Sequence, residues 1–386
     1  MYNILTLNKI ASCGTDQLPA DVFRISSDME SPDAILLRSA DMHSFNVPET
    51  LLAVGRAGAG VNNIPVDKYA EKGIVVFNTP GANANAVKEL AIAALFLSSR
   101  KITAGISWVQ GLAGQTGVAK LVEAGKSKFV GPEITGKKLG VIGLGAVGVL
   151  VANACYSLGM DVYGYDPFIS VDAAWRLSRW VNKAAGISEI LSECDYITIH
   201  IPLNVETKNM INANTIAQVK KGARIINLSR GDLVDNTVIK DAVLNGSISC
   251  YVTDFPNESL LGVDGIITIP HLGASTMESE DNCAVMAADE IHNYLLYGNI
   301  KNSVNYPDCI LPFSGKKRFC VLHKNIPNVV ASLTAEFANR DINISNMINH
   351  SKDANAYTIM DVDGSELSGV EDKMREIEGV IRVRVI

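Results

Sequence analysis

Short apolar runs alternating with helix-like segments organise the first hundred residues. DAILLRSA, LLAVGRAG and IVVFNTP each read as a buried strand that ends in a polar or turn-forming cluster. Turn and helix signals separate them, at Pro48 and Glu49 and again between Asn63 and Tyr69, and the alternation predicts a parallel sheet with crossover helices. Residues 84–109 carry apolar side chains at helical spacing over a wide face, which predicts one long helix.

A second series starts at KKLGVIGLGAVG and runs through DVYGYDP, CDYITIHIPL, ARIINLSRG, SCYVTDFP and IITIPHLG. Each is a short β-type run closed by Gly, Pro or a polar cluster, so a second doubly wound unit is expected. MESEDNCAVMAADEIHNYLLYG then predicts one long amphipathic helix, and SVNYPDCILPFSGKK, with its Pro, Ser and Gly, reads as a linker. RFCVLH, NVVASLTAEFANR, NISNMINHS, AYTIMDVDG, VEDKMREIEG and VIRVRVI follow as strand, helix, strand, strand, helix and strand. The predicted fold class is α/β: two doubly wound parallel-sheet domains, Rossmann-like and flavodoxin-like, plus a C-terminal ferredoxin-like βαββαβ domain.

Composition changes this picture little. The 386 residues exceed one ordinary domain, and 47% hydrophobic with 19% charged residues supports sizeable cores. A formal net charge of −7 argues against nucleic acid or an anionic membrane as partner. The cysteines, at 13, 155, 194, 250, 283, 309 and 320, form no C-x-x-C pair, so buried reduced thiols are expected and no disulfide framework or metal site. The N-terminal run is too short for a signal peptide and no apolar run reaches the length of a membrane span, which predicts a soluble cytoplasmic protein.

Gly143, Gly145 and Gly148 follow the strand LGVI and open an apolar helical pattern. Glycines at this spacing permit a tight turn, close approach of a pyrophosphate to backbone, and tight helix-on-strand packing. Asp166 closes the next strand, where an acid accepts from ribose hydroxyls and repels a 2′-phosphate; Pro167 and Phe168 follow, with no Arg, which favours NAD over NADP. Oxidising an alcohol also needs a base for the hydroxyl proton and a cation for the carbonyl oxygen. His271 after ITIP and Arg230 after RIINL stand at strand ends, where such sheets bind ligands, and Glu258 lies between them in sequence.

GLGAVG with Asp166, then NLSRG, a later Glu and PHLGAST, in this order, resemble the D-isomer-specific 2-hydroxyacid dehydrogenases over essentially the whole chain. The resemblance implies that Arg230 binds the substrate carboxylate and polarises the C2 oxygen, that His271 takes the hydroxyl proton, and that Glu258 pairs with His271. It implies NAD contacts from Thr79, Gly143, Gly145, Ala146, Val147, Gly148, Asp166, His200, Ile201, Pro202, Leu228, Ser229, Asp254, Gly273 and Ala274. Arg38 and Arg56 match the arginines with which one branch of the family holds a substrate phosphate, a role that suits their planar fork. Backbone amides of the loop from Ala57 and Gly58 to Gly60 would help with the carboxylate. The implied reaction is oxidation of 3-phospho-D-glycerate to 3-phosphohydroxypyruvate with NAD, the entry to L-serine synthesis. Two other readings remain: a dehydrogenase for glycerate, lactate or another 2-hydroxy acid, which has no need of Arg38 and Arg56, or a non-catalytic NAD-sensing interaction protein.

The same resemblance implies a substrate-binding domain of residues 1–100 and 281–302, an inserted NAD-binding domain of 101–280 with hinges in the bordering helices, a linker of 303–316 and a regulatory domain of 317–386. That last domain looks like an ACT domain. His323, Asn325 and Asn343 stand where serine-inhibited relatives bind L-serine, although polar residues there also serve to order a turn before a helix. Pro327 is followed by Asn328 instead of Gly, and Asn tolerates the left-handed turn this position needs. A homo-oligomer, dimer or tetramer, is expected through the apolar 84–109 segment. Three departures from the family pattern stand out: Ala146 carries no bulk after the second glycine, residues 171–184 differ, and the acid that contacts the nicotinamide amide is displaced. Either Thr253 takes that acid's place or, with a local bulge, Asp254 does.

Overall fold

The apolar runs near the N-terminus become five parallel strands, β1 (Tyr2–Leu7), β2 (Phe23–Ser26), β3 (Ala34–Leu37), β4 (Ala53–Arg56) and β5 (Val75–Asn78), in the order β2-β1-β3-β4-β5. In this computed structural model, which describes residues 1–364 and 367–386, they belong to a unit made of residues 1–83 and 277–386. Central strand β3 is buried at every position, which is why AILL shows no alternation: both faces of the sheet are covered. Ile4, Leu36, Val75 and Phe77 pack on one face with Ile291 and Tyr294 of the Met277–Tyr297 helix; Leu5, Ile35, Val54 and Tyr69 fill the other.

Residues 84–276 form the second unit. Its strands are β6 (Lys138–Ile142), β7 (Asp161–Tyr165), β8 (Asn182–Lys183), β9 (Tyr196–Ile199), β10 (Ala223–Asn227), β11 (Ile248–Thr253) and β12 (Ile266–Thr268). All pair in parallel in the order β12-β11-β10-β9-β6-β7-β8. The order reverses between β6 and β9, and a crevice for ligands opens at the carboxyl ends there.

The single long helix expected over 84–109 is two helices, Ala84–Arg100 and Ile102–Gln110, bent by 69° at Lys101, whose backbone is left-handed. The last turn before the break is loosened by Ser98 and Ser99, whose hydroxyls donate back to Leu95 O at 2.8 Å. The first helix buries Ala91, Ala94 and Leu95 in the same core as Val151 and Cys155, so it groups with the second unit and not with residues 1–83. No single helix among the described residues is long and apolar enough to cross a membrane.

The C-terminal strands β13 (Lys317–Lys324), β14 (Ile344–Lys352), β15 (Asn355–Val362) and β16 (Val380–Val385) pair antiparallel in the order β14-β15-β13-β16, as a βαββαβ chain requires. The helices Val329–Ala338 and Val370–Arg375 cover one face over Phe319, Val321, Met360 and Val362. The other face is not open: Cys320, Leu322, Tyr357 and Ile359 share a core with Phe77, Tyr294 and Tyr306. Residues 303–316, read as a linker, begin as packed structure. Asn305 bonds the backbone of Ile74 and Val76 in or beside β5, and the Tyr306 hydroxyl donates to Ala70 O.

Candidate active site

In the second unit the three glycines of the turn after β6 do three different things. Gly143 has φ +91°, and a Cβ there would meet His200 O at 2.5 Å. A Cβ on Gly148 would lie 1.9 Å from Gly143 O, so only glycine lets the Ala146–Ser157 helix start this close to the strand. A Cβ on Gly145 would meet nothing within 4 Å, which leaves open space over the backbone of Gly145, Ala146 and Val147 at the helix N-terminus. Asp166, just past β7, accepts from Leu144 N at 2.8 Å and from Phe168 N at 2.9 Å, so its carboxylate also braces the glycine turn. Beside it lies a cavity of about 520 Å³ lined by Leu144, Asp166, Ile169, Leu177 and Val181, apolar enough for an adenosine.

Past β9, the backbone N–H of His200 donates to Ile142 O and its ring meets Thr198 Oγ1 at 2.9 Å. Burial pushes its imidazole down to about 4, so it is neutral at physiological pH. Ile201 reaches to within 2.7 Å of the position a Gly143 Cβ would take, and Pro202 O accepts from Thr207 Oγ1 at 2.7 Å.

The chemistry-bearing groups follow adjacent strands β10, β11 and β12. Buried Asn227 shapes the first turn: its amide donates to Arg230 O at 2.8 Å and its carbonyl accepts from Ser229 N at 3.2 Å. Leu228 is buried beneath, Ser229 Oγ donates to Ile199 O, and the Arg230 side chain is exposed with Nη1 on Ser229 O at 2.7 Å. After β11, Thr253 and Asp254 are both buried, but differently used. Thr253 Oγ1 accepts from Phe255 N at 3.1 Å, whereas among the described residues neither carboxylate oxygen of Asp254 has a hydrogen-bond partner. Burial raises the Asp254 carboxyl above its ordinary value, and the charge of His271, the nearby backbone N–H groups of Gly273 and Asp254, and the charge of Arg230 oppose that rise. The Gly273 backbone packs beside Asp254 Oδ2, with Ala274 next along.

His271 is exposed and stacks against Phe255, ring centroids 4.8 Å apart. Glu258 is exposed as well, and among the described residues no hydrogen bond or ion pair joins it to His271, contrary to the pairing the resemblance implied. The turn of Asn257, whose Oδ1 accepts from Ser259 N and Ser259 Oγ, carries Glu258 outward.

In the first unit, Arg38 follows β3 and Arg56 ends β4. Arg56 Nε donates to Asn63 Oδ1 at 3.2 Å, and Asn63 Nδ2 donates to Ala40 O at 2.7 Å. Arg38 Nη1 lies 2.5 Å from Glu280 Oε1. Neither Asn63 nor Glu280 is marked by a sequence motif; Asn63 lies seven positions past Arg56, and Glu280 is one of two acids in the first turn of its helix. The amides of Ala57 and Gly58 already donate to Leu37 O and Arg56 O, so they are not open to a carboxylate; those of Ala59 and Gly60 make no hydrogen bond among the described residues. Thr79, just past β5, is fully buried, and its hydroxyl has no partner among the described residues.

The open backbone at Gly145 and the orphan carboxylate of Asp254 fit a dinucleotide with a carboxamide. In the C-terminal domain His323 is buried, with Nδ1 at 2.8 Å from Lys324 O and Nε2 at 2.9 Å from Thr358 Oγ1. Asn325 and Asn343 are exposed and donate to Asp353 O and Asp363 Oδ2. Asn328 takes the left-handed turn, with φ 69°.

Comparison with known proteins agrees with this geometry. Residues 92–273 match the D-isomer specific 2-hydroxyacid dehydrogenase NAD binding domain. Over 348 residues the chain is 32% identical to the D-3-phosphoglycerate dehydrogenase of Haemophilus influenzae, covering 87% of this chain and 81% of that protein. Identity to the Escherichia coli K12 D-3-phosphoglycerate dehydrogenase is also 32%, over 89% of this chain and 83% of that one. Among solved structures, an NAD+-bound 3-phosphoglycerate dehydrogenase from Entamoeba histolytica is similar at 25% identity and a TM-score of 0.60, covering 79% of this chain and 98% of that one. At 19% identity, Rhodotorula graminis D-mandelate dehydrogenase shares the fold with a TM-score of 0.66, over 78% of this chain and 97% of that one. The chain belongs to the D-isomer-specific 2-hydroxyacid dehydrogenase family, among the D-3-phosphoglycerate dehydrogenases.

Proposed function

We propose that the chain oxidises 3-phospho-D-glycerate to 3-phosphohydroxypyruvate with NAD, the first step of L-serine biosynthesis. The observation that carries this reading is the placement of Arg230, Asp254 and His271 after three adjacent strands, in a chain that also carries Arg38 and Arg56 at strand ends. Bound NAD supplies the acceptor for the hydride that leaves C2. Arg230 holds the substrate carboxylate and stabilises the C2 oxygen as it becomes a carbonyl. His271 takes the hydroxyl proton as the C2–H electron pair departs, and returns it in the reverse direction. Glu258 supports His271 by turning inward from its exposed position. When NAD is bound, Asp254 would accept from its carboxamide N–H, the backbone N–H groups of Gly145 to Val147 would hold its pyrophosphate, and Asp166 would take its ribose hydroxyls.

Arg38 and Arg56 hold the phosphate, and Ala59 and Gly60 supply amides for the carboxylate. The exposed apolar side chains of Ile102, Ile106 and Val109 support assembly as a cytoplasmic homo-oligomer, dimer or tetramer. L-serine acts on the C-terminal domain through Asn325 and Asn343, whose side chains are exposed, with His323 as a buried brace.

The test is NADH formation from 3-phospho-D-glycerate by the wild type and His271→Ala. A loss of kcat of about 10²–10⁴ is expected; equal rates would remove the proton-transfer role.

A further inference from the structure

Arg38 and Glu280 form an ion pair of 2.5 Å between the end of β3 and the first turn of the Met277–Tyr297 helix. Its two side chains are 35% and 48% exposed. A second ion pair in the same unit shows what a structural strut looks like here. Arg318 and Asp361 are fully buried, and the guanidinium also donates to Tyr297 O, Leu311 O and Pro312 O. The Arg38 pair has no such enclosure. An exposed pair of this kind contributes little, because water competes for both ends. A phosphate dianion, with more charge and three acceptor oxygens, binds a guanidinium more strongly than one carboxylate does.

We propose that Glu280 is an internal exchange partner for Arg38: it occupies the guanidinium when no phosphate is present, and substrate phosphate displaces it. This rests on the reading of Arg38 as a phosphate ligand. Glu280 then acts through Arg38 as a residue that sets affinity. Each binding event exchanges the carboxylate for phosphate, and each release lets the carboxylate return. The displaced Glu280 stays at a helix N-terminus, where a negative charge is favourable, so the exchange leaves no stranded anion. The consequence is a higher KM for every ligand that presents a phosphate to Arg38, product included, and an easier product release.

The experiment measures KM for 3-phospho-D-glycerate and for NAD, and the inhibition constant of inorganic phosphate, in E280Q, R38A and R38A/E280Q. E278Q serves as a control that removes the same charge from the same turn. E280Q is expected to lower the phosphoglycerate KM and the phosphate inhibition constant about two- to fivefold, the equivalent of one exposed ion pair. KM for NAD stays unchanged, E278Q has no such effect, and the E280Q gain vanishes in the R38A background. If R38A raises the phosphoglycerate KM but E280Q changes nothing, or if E278Q matches E280Q, the exchange role is overturned while the phosphate site stands. An R38A enzyme with unchanged KM would overturn the phosphate site itself.

Discussion

Thr253 and Asp254 sit side by side at the end of β11, and burial alone does not tell them apart. Their hydrogen bonds do: the threonine hydroxyl caps the turn at Phe255, while the Asp254 oxygens complete no hydrogen bond among the described residues. Asp254→Ala is therefore expected to raise KM for NAD about tenfold or more, the scale of one charge-assisted hydrogen bond, and Thr253→Ser to leave it nearly unchanged. Equal effects of both substitutions on that KM would count against the assignment. The spacing of the motif leaves this pair open because counting back from Glu258 lands on Thr253 with Asp254 next door, and only the fold shows that the threonine hydroxyl is already engaged while the Asp254 oxygens make no hydrogen bond among the described residues. Arg230 and His271 are legible in the sequence as residues following apolar runs. Asn63 and Glu280 are not, since their partners, Arg56 and Arg38, come from other strands and only folding brings them together.

Glycines at fixed spacing are the most legible element, and their packing predicts unequal outcomes. Gly148→Ala forces a carbon to within 1.9 Å of Gly143 O and should lower the melting temperature markedly. Gly145→Ala meets nothing within 4 Å among the described residues, so it should melt like the wild type yet bind NAD more weakly, as calorimetry can show. Helix boundaries were harder to read: the apolar pattern runs on through Lys101, where the serine hydroxyls before it weaken the helix.

The Met277–Tyr297 helix holds a pH-dependent element of its own. Burial pushes the Glu290 carboxyl up to about 8; Oε1 accepts from Asn302 Nδ2 at 2.8 Å and Oε2 has no partner among the described residues. The native state thus binds this proton more tightly than the unfolded chain does. The resulting stability is full below the ordinary glutamate range and is lost as pH rises through about 8. Each tenfold difference in proton affinity between the two states corresponds to about 1.4 kcal/mol. Glu290→Gln keeps the acceptor for Asn302 and should flatten the fall in melting temperature between neutral and alkaline pH; an unchanged slope would assign that fall to other groups.

At the scale of the whole molecule, strand order and fold class are legible because each strand announces itself by its apolar run, and parallel connections limit the possible topologies. Less legible is the fusion of the C-terminal sheet with the first unit. RFCVLH reads as one strand of a separate module, yet alternate residues Cys320 and Leu322 face the core that holds Phe77 and Tyr294. Residues 1–83 and the C-terminal domain should therefore melt together, and Asp361→Asn, which strands the buried Arg318, should destabilise both in that shared transition by about 3–5 kcal/mol. A C-terminal domain that melted separately would contradict the shared core. The central claim, a phosphorylated D-2-hydroxy acid oxidised with NAD, is tested most directly by steady-state NADH formation from 3-phospho-D-glycerate, D-glycerate and D-lactate in the wild type and Arg56→Ala. The predicted result is the highest kcat/KM on 3-phospho-D-glycerate, with Arg56→Ala raising its KM about tenfold or more and leaving D-glycerate little changed. Equal turnover of the unphosphorylated acids, or an unaltered KM in the variant, would contradict it.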